Sequence, residues 1–179
     1  MCNVSGHAAL FTSLVFGTLY LWISAPNWPP TASPEPNPRL MFVAVAGLAV
    51  AAAAARGSLR AGTAGGAPQG WIGLAAVALL AMIASTVVLI GGGVPHPREH
   101  ALGATASALL GYVVLHAGIG LLFLLSNLLR LAAGYISPRR LIDLRLTRLW
   151  LDYTVLTGAI ALALVLVLPA LAAILEARP

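Results

Sequence analysis

The side chains of this sequence best suited to chemistry are four histidines, His7, His96, His100 and His116. A b-type haem in a helical bundle needs two histidines at matching depth on facing helices. His116 lies in the middle of a long apolar stretch, whereas the other three lie near the ends of such stretches. We therefore expect no second histidine at the depth of His116, and its predicted role is that of a hydrogen-bonded packing residue.

The other polar residues also favour structural roles. Pro97 interrupts any helix that would align His96 with His100 as metal ligands. A carboxylate at the centre of a membrane span costs about 3 kcal/mol, and the acidic residues here avoid such positions. Asp152 lies one helical turn after Arg148, which is typical of a structural ion pair, with proton transfer as the alternative. No hydrolase, phosphate-loop or metalloprotease motif is present, so the sequence predicts no catalytic residue, cofactor site or metal site in this chain.

Five long apolar stretches carry these residues. A helix of roughly 20 apolar residues crosses a bilayer, and an open strand cannot, because lipid offers no partners to its backbone. The composition agrees, since 60% of the residues are hydrophobic and 8% are charged, whereas soluble domains contain about 25% charged residues. The sequence predicts a single all-α membrane domain over residues 1–179, with transmembrane helices at residues 7–25, 40–55, 71–90, 101–131 and 149–171.

Small residues recur at helical spacing in two of these spans and would let neighbouring backbones approach closely. In the second span they are Ala44, Gly47, Ala51 and Ala55, and a flexible glycine-rich loop is expected from Arg56 onward. In the fourth span the predicted positions for helix packing or subunit contact are Gly103, Ser107, Gly111, His116 and Gly118.

The segment between the last two spans is rich in arginine. Ser137 and Pro138 are typical of a helix N-cap and a first helical position. The arginines and leucines that follow predict a helix lying at the headgroup level before the last span. Arginine at that level binds lipid phosphate, and the predicted headgroup contacts are Arg139, Arg140, Arg145 and Arg148.

The distribution of charge predicts the orientation of the chain. The formal net charge is +5, and all of the basic residues are arginines because the sequence contains no lysine. The arginines lie beside apolar spans, so contact with phosphate headgroups explains them better than nucleic-acid binding. They are concentrated in the second and fourth loops, and the positive-inside rule then places the N-terminus in the cytoplasm and the C-terminus outside.

Three stretches resemble subunit III of the haem–copper oxidases. The first is YLWISAPNWPP, similar to that family's aromatic run into a Trp-Pro-Pro loop. The second is HAGIGLLFLLSNLLRLAAGYISPRR, similar to the family's histidine-and-glycine helix and its Gly-x-x-Ser/Thr-Pro-Arg-Arg turn. The third is LWLDYTVLTGAIALALVLVLP, similar to the last helix of the family, with Asp152 where the family has a histidine. Five spans match the shorter bacterial forms, which lack the first two helices.

The resemblance implies an accessory role in the bacterial inner membrane. Subunit III binds no haem or copper; it packs on the catalytic subunit I and other subunits, holds phospholipid, and supports stability and proton uptake during aerobic electron transport. Haem and copper are thus expected in the partner catalytic subunit, and this chain is expected to contribute no catalytic centre to the oxidoreductase complex. The alternatives are an accessory subunit of a related nitric oxide reductase, a b-type cytochrome membrane anchor and a small transporter.

Overall fold

The computed structural model describes residues 4–24 and 36–176, and these residues form five α-helices with no β-strand among them. All five helices are long and apolar enough to cross a membrane, which confirms the predicted all-α membrane bundle. The helices are α1 (Val4–Ser24), α2 (Pro38–Thr63), α3 (Gln69–Gly92), α4 (Ala101–Ala132) and α5 (Ile142–Glu176). The predicted end of the first span at Ala25, and most of the proline-rich loop after it, lie outside the described residues.

α2 continues well beyond the predicted end of the second span. The prediction of a flexible loop from Arg56 onward is wrong for its first half, because the helix runs to Thr63. Gly62 is buried in this added part and lies against the side chains of Leu141 and Leu144. The C-terminal turns of α2, which follow its most apolar part, are therefore packed against the residues around the start of α5.

The start of α5 also differs from the prediction. Ser137 does not cap a helix; its N–H and C=O pair with Arg140 in a tight turn, with N···O distances of 3.4 and 2.8 Å. The helix begins at Ile142, four residues after the predicted first helical position Pro138, and runs without interruption through the last span. Leu144 and Leu151, two helical turns apart, are both buried. One packed face therefore continues from the arginine-rich turns into the span.

α2, α3, α4 and α5 form a four-helix bundle in which each helix packs on the next and α5 closes the ring against α2. α1 lies outside this ring, where it packs on α4 and touches α5. In the apolar window of each helix, 11% of the residues of α1 are buried, against 39 to 44% in the other four. Because hydrophobic burial does not drive helices together in lipid, the position of α1 depends on a few specific contacts.

The small-residue stripe of α2 faces α3. Its members Ala44, Gly47, Ala51 and Ala55 are all buried. A Cβ on Gly47 would lie 2.8 Å from the carbonyl oxygen of Ala78 in α3, so the two backbones meet at this position. The close approach agrees with the packing role that the spacing predicts.

Candidate functional site

Five side chains from three helices meet beside the middle of α4. We name them the histidine cluster: His7 of α1, Tyr112 and His116 of α4, and Trp150 and Tyr153 of α5. His116 is buried, with 1% of its surface exposed, and His7 is half-buried. The cluster therefore combines polar groups from three helices at a place largely closed to solvent.

The position of His7 corrects the sequence analysis. His7 Nδ1 lies 3.2 Å from His116 Nε2, so the expectation that no second histidine matches His116 in depth is wrong. α4 has 32 residues, many more than the roughly 20 that cross a bilayer. The first turns of α1 meet this long helix near its middle.

Hydrogen bonds fix each ring of the cluster. The Tyr112 hydroxyl donates to the His7 carbonyl at 2.9 Å, and the Tyr153 hydroxyl lies 2.6 Å from the Tyr112 hydroxyl. His116 Nδ1 donates to the Tyr112 carbonyl, and Trp150 Nε1 donates to the His116 carbonyl, both at 2.9 Å. Since the Tyr112 proton is used on His7, Tyr153 is the donor in the bond between the two hydroxyls.

The rings of the cluster also stack. The centroid of the His116 ring lies 4.0 Å from that of Tyr112 and 5.3 Å from that of Trp150. His7 meets His116 and Trp150 edge to face, at 5.1 and 5.5 Å between centroids. Gly120 leaves room for Leu151 beside Trp150, because a Cβ there would lie 2.8 Å from Leu151 Cδ2. Stacking and hydrogen bonding together make this a firm junction of three helices.

The geometry of the cluster does not suit a haem. The two imidazole nitrogens that would bind iron from opposite sides contact each other directly. An iron with its porphyrin ring cannot fit between two nitrogens separated by one hydrogen bond. In the part of the chain that the structure describes, no group of three or more His, Cys, Asp or Glu side chains could hold a metal ion. The cluster is suited instead to holding and sharing protons, because its donors and acceptors are in mutual contact.

A charged group lies next to the cluster along α5. Asp152 forms an ion pair with Arg148 Nε at 3.4 Å, in the arrangement that the spacing predicts, and accepts a hydrogen bond from Arg56 of α2 at 2.5 Å. The Asp152 side chain is 27% exposed and the two arginines are more exposed. Asp152 thus joins α2 to α5. Sequence reasoning missed Arg56 because 96 residues separate it from Asp152, and no local spacing signals such a contact.

A second charged site lies at the turn between α4 and α5, around a cavity of about 360 Å³. Asp143 pairs with Arg130 there at 3.2 Å, and Arg148 faces Asp152 instead. Positive charge is in excess around the cavity, and guanidinium groups suit a phosphate. The arginines that line it are Arg130, which the sequence analysis did not select, and the predicted headgroup contacts Arg139, Arg140 and Arg145.

The predicted contact positions of α4 have different surroundings. Gly103 packs directly on the backbone of Pro95. Gly111 and Gly118 have no atom within 4 Å of the place where a Cβ would lie. Ser107 Oγ is buried and has no hydrogen-bond partner among the described residues. The face that carries Gly111 and Gly118 therefore has room for a closely packed neighbour.

The two histidines before α4 bind local backbone groups. His96 Nδ1 accepts from the N–H of Arg98 at 3.3 Å, and His100 Nδ1 accepts from the N–H of Leu102 at 3.0 Å. His100 is thereby the N-cap of α4. Sequence reasoning missed this cap because the usual N-cap residues are Ser, Thr, Asn and Asp.

No family model matches the chain, and no curated protein matches it significantly.

Proposed function

We propose that this chain is a non-catalytic accessory subunit, similar to subunit III, of a bacterial respiratory haem–copper oxidase. In this role it packs on the catalytic subunit in the inner membrane, holds phospholipid, and supports the stability and proton uptake of the complex. Haem and copper belong to the catalytic partner. The observation that carries the proposal is the junction of α4 and α5, where the residues most similar to that family contact one another.

The junction supports the proposal through two pairs of residues. His116 comes from the stretch similar to the family's penultimate helix, and Trp150 from the stretch similar to its last helix. The two rings stack nearly parallel, at an angle of 9°, and Trp150 Nε1 donates to the His116 carbonyl. Tyr112 and Tyr153 join the same two helices through their hydroxyls. These contacts fix the rotation of each helix, and two of the residues that make them, His116 and Trp150, lie in stretches that carry the resemblance.

The arginine-lined cavity supports the lipid-holding part of the proposal. Its guanidinium groups lie where a long apolar hairpin turns, and a phospholipid places its phosphate at that level. A smaller cavity of about 180 Å³, lined in part by Phe123 and Leu146, lies between the same two helices and shares Asp143 with the first. A charged cavity beside a partly apolar one fits the headgroup and the start of an acyl chain.

The open face of α4 supports the proposed contact with a catalytic subunit. Leu115 and Leu122 on this side of α4 are 61% and 64% exposed, and the small residues Gly111 and Gly118 lie between and beside them. A transmembrane helix of the partner can approach closely at such glycines, where dispersion contacts and lipid release stabilise association.

Purification of the tagged chain from its native membrane tests the proposal. We expect the chain to recover a haem-bearing protein with a reduced-minus-oxidised haem spectrum and bound copper. Gly118→Leu should lower this recovery roughly tenfold, because an overpacked helix contact costs about 1–3 kcal/mol. The fold of the chain should tolerate this leucine, since no atom lies within 4 Å of the added Cβ.

Gly73→Leu in α3 is the matched control. Its Cβ also has no neighbour within 4 Å, and Gly73 lies on a different helix from the proposed contact. Recovery of the partner should be unchanged in this variant. Purification of the wild-type chain without any haem-bearing protein would count decisively against the proposal, and a haem partner without copper would favour a nitric oxide reductase instead.

A further inference from the structure

His7 makes the polar contacts that attach α1 to the bundle, while Phe11 and Trp22 add apolar contacts further along the helix. Among the described residues, every hydrogen bond between α1 and another helix is made by His7: its carbonyl accepts from Tyr112 and its Nδ1 contacts His116. Phe11 and Thr18 are the buried side chains on the rest of the helix, at 6% and 4% exposure. A helix that leaves a neighbour in lipid loses little hydrophobic free energy, because lipid is as apolar as the neighbour. Polar contacts therefore weigh heavily in the docking of α1.

The proton positions in this contact follow from the geometry. The Tyr112 carbonyl can only accept, so His116 Nδ1 carries a proton and donates to it at 2.9 Å. In a neutral imidazole the other nitrogen is then bare, and His116 Nε2 accepts from His7 Nδ1 at 3.2 Å. His7 Nε2 is left as the bare nitrogen of the pair, and it has no hydrogen-bond partner among the described residues.

A first added proton and a second one have opposite effects on this contact. The first fits on His7 Nε2 and leaves the bond between the rings as a charge-assisted hydrogen bond. The second has to enter at His116 Nε2, where it meets the N–H of His7. The hydrogen bond is then lost, and two positive rings lie with their centroids 5.1 Å apart in a largely closed site.

The surroundings offer no compensation for a second positive charge. The titratable groups that face the pair are the hydroxyls of Tyr112 on α4 and Tyr153 on α5, which are engaged with each other and with His7. The next carboxylate along α5 is Asp152, and two arginines already bind it. The described part of α1 contains no carboxylate that could balance the charge.

We propose that the His7–His116 pair is a proton-controlled latch for α1. With no added proton or with one, the latch is closed and α1 is docked on α4. With two added protons the imidazoles repel each other, and α1 moves away from α4 into the surrounding lipid while the four-helix bundle stays intact. Acid thus exposes the face of α4 and α5 that α1 covers.

A distance measurement in lipid nanodiscs tests the latch. Spin labels are placed on Ser13→Cys in α1 and on Val77→Cys in α3, both exposed positions, in a chain that also carries Cys2→Ser. We expect one distance at about pH 8 and a second, longer one at about pH 4.5, well below the ordinary histidine range. The ratio of docked to undocked chains should fall at least about threefold, as the loss of one interhelical hydrogen bond implies.

Three variants separate the latch from a general effect of acid. The His7→Gln amide cannot titrate; it can donate to neutral His116 and accept from protonated His116, so its docking should not depend on pH. His96→Gln is the matched control, because it removes a histidine outside the cluster and should keep the acid response. Tyr112→Phe removes the bond to the His7 carbonyl, and it should weaken docking at both pH values while keeping the response.

A second pair of labels, on Val77→Cys and on Leu156→Cys in α5, reports on the bundle itself. This distance should stay constant in acid, and a change in it would show unfolding and contradict the proposal. An unchanged α1–α3 distance in the wild type, or an acid response that survives in His7→Gln, would overturn the latch. Nitrogen NMR of labelled histidines gives an independent readout: a bare Nδ1 on His116 at neutral pH would also overturn it.

Discussion

At the scale of residues, the Asp152 carboxylate forms ion pairs with two arginines and thereby links two helices. Asp152 binds Arg148 of its own helix and Arg56 of α2. All three side chains are partly exposed, so water and salt screen each pair, and exposed ion pairs contribute about 0–1 kcal/mol each. The bond to Arg56 matters more to the fold, because it joins two helices that are distant in sequence.

Asp152→Asn tests this assignment. The amide keeps the size of the side chain and removes its charge, so both pairs are lost and two arginines remain close together. We expect the free energy of unfolding in mixed detergent micelles to fall by about 1 kcal/mol. Arg148→Gln, which removes one partner within α5, should lower it by roughly half as much. Equal effects of the two substitutions would show that the contact with Arg56 adds nothing.

At the scale of helices, contact between backbones decides how α2 and α3 pack. A Cβ on Gly47 would lie 2.8 Å from both the Ala78 carbonyl oxygen and the Met82 Cβ. Neither atom can rotate away as the end of a flexible side chain could. The two helices would have to separate to accommodate even a methyl group, with loss of the dispersion contacts that hold helices together in lipid.

Gly47→Ala should therefore destabilise the bundle despite the better helix propensity of alanine. We expect the free energy of unfolding to fall by about 1–3 kcal/mol, the usual cost of overpacking. Gly73→Ala is the matched substitution, since Gly73 has no atom within 4 Å of an added Cβ, and it should be neutral or slightly stabilising. A stabilising effect of Gly47→Ala would contradict the close contact.

At the scale of the whole molecule, five transmembrane helices place the two ends of the chain on opposite sides of the membrane. The arginines of the second and fourth loops then set the predicted orientation. The structure groups Arg130, Arg139, Arg140 and Arg145 around one cavity, so much of this charge acts at one place.

Reporter fusions test the orientation. Alkaline phosphatase fused after Pro179 should be active, because it folds outside the cytoplasm, while a fluorescent protein fused there should stay dark. The same reporters inserted at Gly65, in the loop between α2 and α3, should give the opposite result. Loss of Arg139 and Arg140 together should increase the misoriented fraction, since the positive-inside bias falls by two charges. A fluorescent C-terminal fusion would reject the predicted orientation.

The sequence by itself determined the membrane class, the five helices and their approximate limits. Lipid demands long apolar helices, and such runs are visible without any knowledge of tertiary contacts. The sequence also determined the pair of Arg148 and Asp152, because an i,i+4 spacing brings two side chains together within one helix. The end of α2 could not be read in this way, because Gly62 lies in a helical extension that packs on Leu141 and Leu144.

The tertiary structure alone decided which distant residues meet. His7 and His116, like Arg56 and Asp152, come together because helices of unequal length are offset along their axes, and no local pattern records that offset. From the sequence we expected no second histidine at the depth of His116. The packing of α1 on the middle of α4 places His7 there, and the two histidines form a hydrogen-bonded pair. Periodicity fixes the face that a residue occupies, and only the contacts between helices fix its height beside a neighbour.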